Sequence, residues 1–264
     1  MKIITWNVNG IRAVERKGEL QNLVDREAPD LLLIQEIKGN AEQFSAYLTE
    51  NDDYEQYYHS AEKKGYSGTG IWLKKIFAKT LKDVTFDVNV PRMPNADEGR
   101  VSQLSFKKGV TEYDVFSIYF PNGGKSEQAW DDKLVFYKRM LSYMNKRREM
   151  GRRVIVGGDM NVAHTETDLA RAKENDGRIG FHPDERAWMD QVIADDWADA
   201  WRAKNPGITD VYSWWDMVTR SRERNVGWRI DYFFVEQKLV RRIKNVRYLH
   251  EQFGSDHCPL LLEV

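Results

Sequence analysis

The sequence is poor in cysteine and has no long apolar run. Cys258 is the single cysteine among 264 residues, so an internal disulfide and an all-cysteine zinc site are both excluded. No apolar run approaches the roughly 18 residues that a membrane span needs. The first residues are typical of a strand and lack the apolar stretch of a signal peptide. We therefore expect a protein of a reducing compartment, the cytoplasm, with no membrane partner.

An excess of charge of one sign is also lacking. Lys and Arg number 40 against 41 Asp and Glu, which gives a formal net charge of −1. A uniformly basic coat is thereby excluded, although a local positive groove for nucleic acid is not. Hydrophobic residues make up 41% of the chain, which is typical of a globular protein. Because no Gly/Ser- or Pro-rich linker and no repeat divides the chain, residues 1–264 are expected to form one domain.

Short apolar or β-branched runs recur along the chain and predict strands. The predicted strands cover residues 3–8, 31–34, 70–73, 84–88, 101–106, 114–120, 154–156, 230–235 and 260–264. Helical spacing of apolar residues predicts helices over 16–26, 40–49, 127–148 and 184–193. Several strand pairs have no helix between them. The pattern therefore predicts an α/β fold in which two β-sheets pack face to face with helices outside.

Polar side chains stand at the ends of four predicted strands. Residues that bind ligands commonly lie at strand ends and in the loops just beyond, on a rigid sheet. Structural alternatives exist, because Asn9-Gly10 is a turn signal, Glu36 could cap a helix and Asp159 could form an Asx turn. The repetition of the pattern nevertheless favours one composite site. Its candidate members are Asn7, Asn9, Glu36, Tyr119, Asp159 and Asn161.

One histidine near the end of the sequence lies in a polar cluster. His257 follows Asp256 directly and precedes the last predicted strand. Adjacent side chains of an extended chain diverge, so Asp256 is poorly placed to orient His257. A second carboxylate is needed, and Asp231 is the best candidate. A structural role for a lone histidine remains the alternative.

Together these side chains offer hard oxygen ligands and a single imidazole. That set suits Mg²⁺, or Mn²⁺, and argues against zinc. The ion would polarise a phosphoryl oxygen, and either His257 or Asp159 could be the base that deprotonates water. The sequence has no Gly-x-x-x-x-Gly-Lys-Ser/Thr phosphate loop. Hydrolysis is therefore favoured over nucleotide-driven transfer.

Cationic and aromatic residues near the strand ends give clues to the substrate. Arg12, Arg100, Lys125 and the cluster Arg220–Arg224 could contact phosphates, although an ordinary solvated charged face is the alternative. Trp214, Trp215 and Trp228 could be core residues or could form an apolar pocket for a sugar or base. The glycine-rich segment 65–70 could be only a hairpin loop.

Taken together, these motifs resemble the exonuclease III family of apurinic/apyrimidinic endonucleases, within the wider endonuclease/exonuclease/phosphatase superfamily. They occur in the family's order and cover the whole chain. The blocks most specific to the DNA-repair branch are Trp6-Asn7-Val8-Asn9-Gly10 and Asn225-Val226-Gly227-Trp228-Arg229-Ile230-Asp231-Tyr232. The other blocks are Leu33–Glu36, Gly65–Gly70, Tyr119–Gly123, Gly158–His164 and Ser255–Pro259.

The resemblance implies a four-layer α/β sandwich of two mixed β-sheets flanked by helices. It implies Mg²⁺-dependent hydrolysis of the phosphodiester 5′ to an abasic site, which leaves a 3′-hydroxyl. It further implies 3′-phosphodiesterase activity and allows a 3′→5′ exonuclease on double-stranded DNA. The partner would be double-stranded DNA with abasic or blocked 3′ sites, bound by a monomer, at the nucleoid if the host is bacterial.

The resemblance also implies roles for individual residues. Glu36 would be the main metal ligand, with Asn9 and Asp256 near the ion and Asn7 in support. Asp159 would align the attacking water or protonate the leaving group, and Asp231 would orient His257. Tyr119 would contact the phosphate or assist departure. Asn161 and His257 would bind the scissile phosphate at the edge of the metal site. The substrate-binding positions would be Arg12, Tyr66, Arg100, Asn122 and Lys125 for DNA, and Trp214, Trp228 and Ile230 for the extruded abasic sugar.

Two other functions fit parts of the pattern. A superfamily member could act on RNA tails, inositol phosphates or phospholipids, but the block at residues 225–232 argues against that. A DNA-binding protein with a degenerate site could recruit partners without cleaving. Every expected catalytic side chain is present, which argues against this third hypothesis.

Overall fold

The computed structural model describes residues Met1–Val264 and contains two six-stranded sheets. The first sheet has the order β13-β14-β1-β2-β4-β3 and the second has the order β5-β6-β7-β8-β12-β9. Their strands are β1 (Lys2–Asn7), β2 (Leu31–Gln35), β3 (Tyr54–His59), β4 (Thr69–Lys74), β5 (Lys82–Asp87), β6 (Val101–Lys108), β7 (Thr111–Tyr119), β8 (Arg153–Asp159), β9 (Trp197–Asp199), β12 (Asp231–Glu236), β13 (Asn245–Tyr248) and β14 (Leu260–Glu263). A short ribbon pairs β10 (Trp214–Trp215) with β11 (Gly227–Trp228).

Eight α-helices flank the sheets or connect their strands. They are α1 (Ile11–Arg16), α2 (Glu19–Glu27), α3 (Ala46–Thr49), α4 (Lys75–Ala78), α5 (Glu127–Glu149), α6 (Ala172–Asn175), α7 (Pro183–Ala194) and α8 (Ala200–Lys204). The sheets are mixed, because β1–β2 and β7–β8 are parallel and the other pairs are antiparallel. None of the helices has both the length and the apolar character that crossing a bilayer requires.

The central strands β1, β2, β4, β8 and β12 bury both of their faces, which explains their mostly apolar sequences. In β2, Leu31 and Leu33 point to the interface between the sheets, where they join residues such as Phe106 and Val115. Leu32 and Ile34 point outward into the layer under α1 and α2. The second sheet packs its outer face against α5 and α7. The four-layer sandwich of two mixed sheets flanked by helices is thus confirmed.

The strand register brings six chain segments to one edge of the sandwich. Tyr119 pairs with Asp159 at the end of β7 and β8, and Asp231 pairs with Asp159 because β12 starts where β8 ends. In the other sheet, Asn7 pairs with Gln35 at the ends of β1 and β2. Strand β14 runs antiparallel to β1, so the residues before it lie at the same edge. The predicted polar strand ends therefore meet.

All nine predicted strands are present, but three strands of the two large sheets and the two short strands of the ribbon, β10 and β11, were not predicted. Strands β3 and β13 form the two edges of the first sheet, and β9 forms an edge of the second. Edge strands are often short or partly polar, which weakens their apolar signal. The sequence Tyr-Glu-Gln-Tyr-Tyr-His of β3 and the three residues of β9 are examples.

Two predicted helices differ from the structure. The predicted helix 16–26 is wrong at its start, because α1 ends at Arg16 and α2 begins after Gly18, which has a φ of 72°. The predicted helix 40–49 is broken into a 3₁₀ turn at Ala41–Gln43 and the short α3, since Phe44 and Ser45 are extended. The predictions for α5 and α7 hold to within one residue at each end.

Gly158 marks a close approach between neighbouring strands. A Cβ atom on this residue would lie 1.9 Å from the main-chain carbonyl oxygen of Ile118 in β7. Gly177, in contrast, lies on a loop with a φ of 74° and nothing within 4 Å of such an atom. The packing of the sheet therefore requires a residue without a side chain at Gly158 but not at Gly177.

We expect Gly158→Ala to lower the free energy of unfolding by on the order of 3 kcal/mol, because backbone must move to relieve the overlap. Gly177→Ala, the matched control, should cost about 1 kcal/mol from its left-handed backbone alone. Urea denaturation followed by circular dichroism measures both. Equal losses in the two variants would contradict the close-approach argument.

Candidate active site

Three side chains form the centre of the polar edge. Ligand atoms of Glu36, Asp159 and His257 all lie within 4.8 Å of one another. Glu36 follows β2, Asp159 ends β8 and His257 precedes β14, so both sheets contribute. Asp159 and His257 are buried, whereas Glu36 is partly exposed and faces the opening. The next helical turn after Glu36 starts at Ala41 with Asn40 as its cap, so Glu36 caps no helix.

Asn7 connects the two central carboxylates. Its Nδ2 donates to Glu36 Oε1 at 2.9 Å and to Asp159 Oδ2 at 2.9 Å. Its Oδ1 accepts the backbone N–H of Asn9 at 3.0 Å. The carboxamide nitrogen thus orients one carboxylate from each sheet, and the carboxamide oxygen is held by the backbone N–H of Asn9.

His257 is paired with Asp231, as the sequence predicts. The Nδ1 atom of His257 lies 2.8 Å from Asp231 Oδ2, and its Nε2 atom lies 3.9 Å from Asp159 Oδ2. The backbone N–H groups of Ile230 and Asp231 both donate to Ser213 Oγ at 3.0 Å, which fixes the start of β12. The imidazole therefore presents Nε2 to the centre of the site.

Asp256 points away from His257. Its carboxylate accepts hydrogen bonds from Asn9 Nδ2 at 2.9 Å and from Trp214 Nε1 at 3.1 Å. Burial would raise the pKa of Asp256, but the neighbouring His257 charge and these donors lower it overall. Asp256 therefore remains a carboxylate, held between the strand ends and an aromatic side chain.

Mutual charge sets the protonation states at the centre. Burial alone would lower the pKa of His257, but the Asp231 carboxylate, with Asp256 and Asp159 behind it, raises this pKa to about 10. Burial raises the pKa of Asp159 to about 7, against the lowering effect of the His257 charge, and Asp231 and Glu36 add to the rise. At neutral pH the imidazole is therefore cationic, and Asp159 is the group that titrates.

Asn161 and Tyr119 border this centre. The backbone N–H of Asn161 donates to Asp159 Oδ1 at 2.8 Å, which is the Asx turn considered above. Asn161 Nδ2 donates to the Phe120 carbonyl oxygen at 2.8 Å, and Asn122 Nδ2 donates to Asn161 Oδ1 at 3.3 Å. Burial, with the charges of Glu36 and Asp159, raises the pKa of the Tyr119 phenol, which is therefore neutral.

The donor set fits a hard divalent cation. Carboxylate oxygens of Glu36 and Asp159 converge without an arginine between them, and a cation would balance their charge. Burial, with the charges of Asp231 and Glu36, raises the pKa of Asp159, and a bound cation would oppose that rise. The cation that is present is Lys38, whose Nζ lies 2.8 Å from Glu36 Oε2 and also binds Asn9 Oδ1. Glu36 and Asp159 are thus the first candidates to hold the ion, the protonated His257 borders them, and Asn9 with Asp256 lie to one side.

A rim of aromatic and cationic side chains borders the opening. Tyr66 stands on the β3–β4 hairpin loop, so the hairpin interpretation of 65–70 holds and the loop still carries a site residue. Lys125 Nζ donates to the Tyr66 hydroxyl at 2.8 Å and lies 4.1 Å from its ring centroid. Arg12 Nη2 donates to the carbonyl of Lys38 at 3.3 Å, which leaves part of its guanidinium facing outward.

Arg100 supports the rim from behind. Its side chain is 5% exposed and pairs with Glu98. It donates to the Tyr66 hydroxyl at 3.1 Å and to the Tyr119 carbonyl oxygen at 3.2 Å, and it lies 4.8 Å from the Tyr119 ring centroid. With its donors directed to these partners, Arg100 is placed to position two tyrosines.

A cluster of apolar side chains lies beside Asp256 and is the candidate for the apolar pocket predicted from the tryptophans. Trp214 and Trp228 stand edge to face, with ring centroids 6.5 Å apart, and both are partly exposed. Behind them lies Ile230, and Ala163, Leu169 and Phe181 complete the cluster. Trp215 is a core residue. The core alternative therefore holds for Trp215, whereas Trp214 and Trp228 reach the surface.

Sequence reasoning missed several residues of the site. Lys38 stands two residues after Glu36, and this spacing was the one available signal for it. Ser213 gives no sequence signal, because its role depends on the approach of β12. Leu169 and Phe181 are isolated apolar residues in loops, and their position in the pocket follows only from the fold.

Comparison with known proteins gives consistent results. Residues 4–257 match the model of the Endonuclease/Exonuclease/phosphatase family. An exodeoxyribonuclease from Bacillus subtilis is 35% identical over 262 residues, which are 99% of this chain and 98% of that protein. The crystal structure of an AP endonuclease from Leishmania major superimposes with a TM-score of 0.88 at 29% identity, over 99% of this chain and 86% of that one. A 3′ phosphatase from Neisseria, bound to a product DNA hairpin, gives a TM-score of 0.83 at 26% identity, over 100% of this chain and 98% of that one.

We expect His257 to carry a proton on both ring nitrogens at pH 7.5 in the metal-free protein, because its pKa is raised to about 10. A raised pKa means that the proton is lost only as the pH rises through that value. Nitrogen-15 NMR of labelled histidines reports the protonation directly. Asp231→Asn should lower the pKa, whereas Asp190→Asn, which removes the surface partner of His164, should leave it unchanged. Titration of wild-type His257 near pH 6.5 would overturn this assignment.

Proposed function

The chain belongs to the endonuclease/exonuclease/phosphatase family, and we propose that it is a DNA base-excision-repair hydrolase. With Mg²⁺ it cleaves the phosphodiester 5′ to an abasic site and leaves a 3′-hydroxyl. The same site removes blocking groups from 3′ ends and degrades 3′ ends of double-stranded DNA as an exonuclease. The observation that carries the proposal is the convergence of Glu36, Asp159 and the His257–Asp231 pair beside an apolar pocket.

The ion site would be built mainly by Glu36, with Asp159 opposite and Asn9 and Asp256 at its side. When bound, Mg²⁺, or Mn²⁺ in its place, polarises a phosphoryl oxygen and offsets the charge that develops during hydrolysis. Asn7 holds the carboxylates of Glu36 and Asp159 in fixed positions before any ion arrives. That preorganisation reduces the rearrangement required at the moment of reaction.

His257 acts as a phosphate-binding cation in this proposal. Because the imidazole is already protonated, it is a poor base and a good hydrogen-bond donor to a phosphate oxygen. Asp231 holds Nδ1 and keeps Nε2 directed to the centre. Asn161 Nδ2 donates one N–H to the Phe120 carbonyl oxygen, and its other N–H, near Asp159 Oδ2 at 3.4 Å, would turn to the phosphate as a neutral donor.

Asp159 accepts the proton of the attacking water. A carboxylate whose pKa lies near 7 is well matched to this role at neutral pH. The water oxygen forms a bond to phosphorus while the bond between phosphorus and the 3′ oxygen breaks. The neutral phenol of Tyr119 supplies a proton to the departing 3′ oxygen, so that the products are a 3′-hydroxyl and a 5′-phosphate.

Selection of abasic sites follows from the pocket. Trp214, Trp228 and Ile230 offer an apolar space for a deoxyribose turned out of the duplex. Extrusion costs least where no base must be unpaired and unstacked, so a lesion without a base enters most easily. Trp214 also donates to Asp256, which ties the pocket to the side of the proposed ion site.

DNA on either side of the lesion would lie along the rim. In this proposal Arg12, Lys125, Tyr66 and Asn122 would contact phosphates and sugars, and Arg100 would hold Tyr66 from behind. Every side chain of the site comes from one copy of the chain, so we infer that residues 1–264 act as a single catalytic domain and as a monomer. The enzyme would work in the cytoplasm, at the nucleoid in a bacterial host.

A duplex that carries one tetrahydrofuran abasic analogue tests the reaction. The analogue cannot undergo β-elimination, so its incision requires hydrolysis. We expect incision with Mg²⁺ and none with EDTA, together with removal of a 3′-phosphate and slower shortening of a recessed 3′ end. An undamaged closed duplex should remain intact. Tight binding to the lesion without any cleavage would refute the proposed activity.

Glu36→Ala and His257→Asn should each lower kcat about 100-fold or more, since each removes charge stabilisation at the phosphate. Glu36→Ala should also raise the Mg²⁺ concentration needed for half-maximal rate. Residues of the same types outside the central cluster provide the controls, the exposed Glu42 and the partly buried His164, and both Glu42→Ala and His164→Asn should cleave at the wild-type rate. Near-normal turnover in Glu36→Ala or His257→Asn would remove that residue from the mechanism.

A further inference from the structure

A lysine occupies a core position on helix α5. Lys133 starts the buried stripe that continues through Phe136, Tyr137 and Met140, and its side chain is 0% exposed. It forms an ion pair with Glu185 of α7, which is also 0% exposed. Lysine is rarely buried completely, and a buried ion pair generally gives no stability advantage over well-packed apolar residues. Neither residue takes part in the proposed reaction.

The Lys133 ammonium group reaches two loops of the candidate active site. Its Nζ donates to the Asn122 carbonyl oxygen at 3.0 Å and to the Asn161 carbonyl oxygen at 3.0 Å. With Glu185 as the third partner, all three N–H donors of the ammonium have an acceptor. Lys133 therefore fixes the main chain at both asparagines, whose side chains are themselves joined by a hydrogen bond.

Glu185 extends the same network toward the apolar pocket. Its Oε2 accepts the backbone N–H groups of Gly180 at 2.7 Å and His182 at 2.9 Å. Gly180 packs so closely against Trp228 that a Cβ atom would lie 3.1 Å from the indole ring. The Gly180 carbonyl oxygen accepts the backbone N–H of Ala163 at 2.8 Å. The carboxylate thus sets the segment that supports one wall of the pocket.

We propose that the Lys133–Glu185 ion pair is a positioning device that aligns the phosphate-binding Asn161 with the pocket wall at Trp228. The inference rests on the proposed function, which assigns those two neighbours their roles. One buried charge pair connects the loops after β7 and β8 to the segment before α7. An apolar pair of equal volume would fill the space but would leave the carbonyl oxygens of Asn122 and Asn161 without their donor.

The test separates positioning from stability. Lys133→Met removes the ammonium and leaves Glu185 as an unpaired buried charge, so this variant should be less stable as well as slower. Lys133→Met combined with Glu185→Gln removes both charges, and the glutamine oxygen can still accept the N–H groups of Gly180 and His182. We expect the double variant to recover most of the thermal stability.

For the double variant we expect kcat on the tetrahydrofuran duplex to stay 10- to 100-fold below wild type, because a displacement of about 1 Å at a reacting group can cost about 100-fold. KM should change less than threefold, since Arg12, Tyr66 and Lys125 of the rim form no hydrogen bond with either substituted residue. Recovery of wild-type kcat together with stability would show that the ion pair is only structural, and it would overturn the inference. If the single variant does not fold, the double variant decides the question alone.

A second buried charge cluster provides the matched control. Asp114 is fully buried and pairs with Arg147 and Arg152, and it lies on β7 well before Tyr119 at the site edge. Asp114→Asn should lower thermal stability while kcat of the folded protein stays at the wild-type value. A loss of kcat in this control equal to that in Lys133→Met would also overturn the inference.

The side-chain amide signals of Asn122 and Asn161 give a readout that does not depend on cleavage. Both signals should shift in the double variant and stay in place in Asp114→Asn. Unchanged signals in the double variant would refute positioning even if the wild-type protein cut no DNA. Conversely, shifted signals in a protein that does not cleave would leave the positioning role intact and refute only the proposed function.

Discussion

The hydrogen bonds from one carboxamide to two carboxylates are the constraint on which the site depends. Asn7 at the end of β1 holds Glu36 beside it and Asp159 from the facing sheet. Below this point, Gln35 Nε2 donates to Ser117 Oγ at 2.8 Å and ties the sheets together through a buried polar contact. The apolar interface between the sheets thus ends in a polar layer. The distances between the site residues therefore depend on how the two sheets are positioned relative to each other.

That geometry concentrates like charges that would otherwise separate. Glu36, Asp159 and Asp231 stand close together, and the protonated His257 offsets only part of their charge. The strand ends and the buried donors Asn7 Nδ2 and His257 Nδ1 hold the three carboxylates in this arrangement. The charge that remains makes the centre receptive to a divalent cation, so affinity for the ion and strain in the metal-free protein have the same origin.

The sequence was sufficient where apolar strands end in polar residues. Four polar residues could be assigned to one site because each lies at the end of a strongly apolar strand or next to one: Asn7, Glu36, Asp159 and His257. Asp231 was predicted as the partner of His257 because the side chain of the adjacent Asp256 points away from it. The edge strand β3 could not be found this way, because its apolar pattern is weak. The break at Gly18 could not be found either, because the helical spacing of apolar residues continues across it. Lys133 was hidden for the opposite reason. Its position in an apolar helical stripe is visible in the sequence, but its partners come from loops whose path only the tertiary structure defines.

The pairing of β1 with β14 has a consequence for synthesis of the protein. These neighbours in the sheet stand at opposite ends of the described chain, and the Met1 amino group donates to the Val264 carbonyl oxygen at 2.7 Å. The ribosome makes Asn7 long before His257. Contacts of such long sequence separation form late in folding. A nascent chain therefore carries Asn7, Glu36 and Asp159 before it carries His257, and a translation product that stops short of His257 lacks both the imidazole of the central cluster and the strand β14 that pairs with β1.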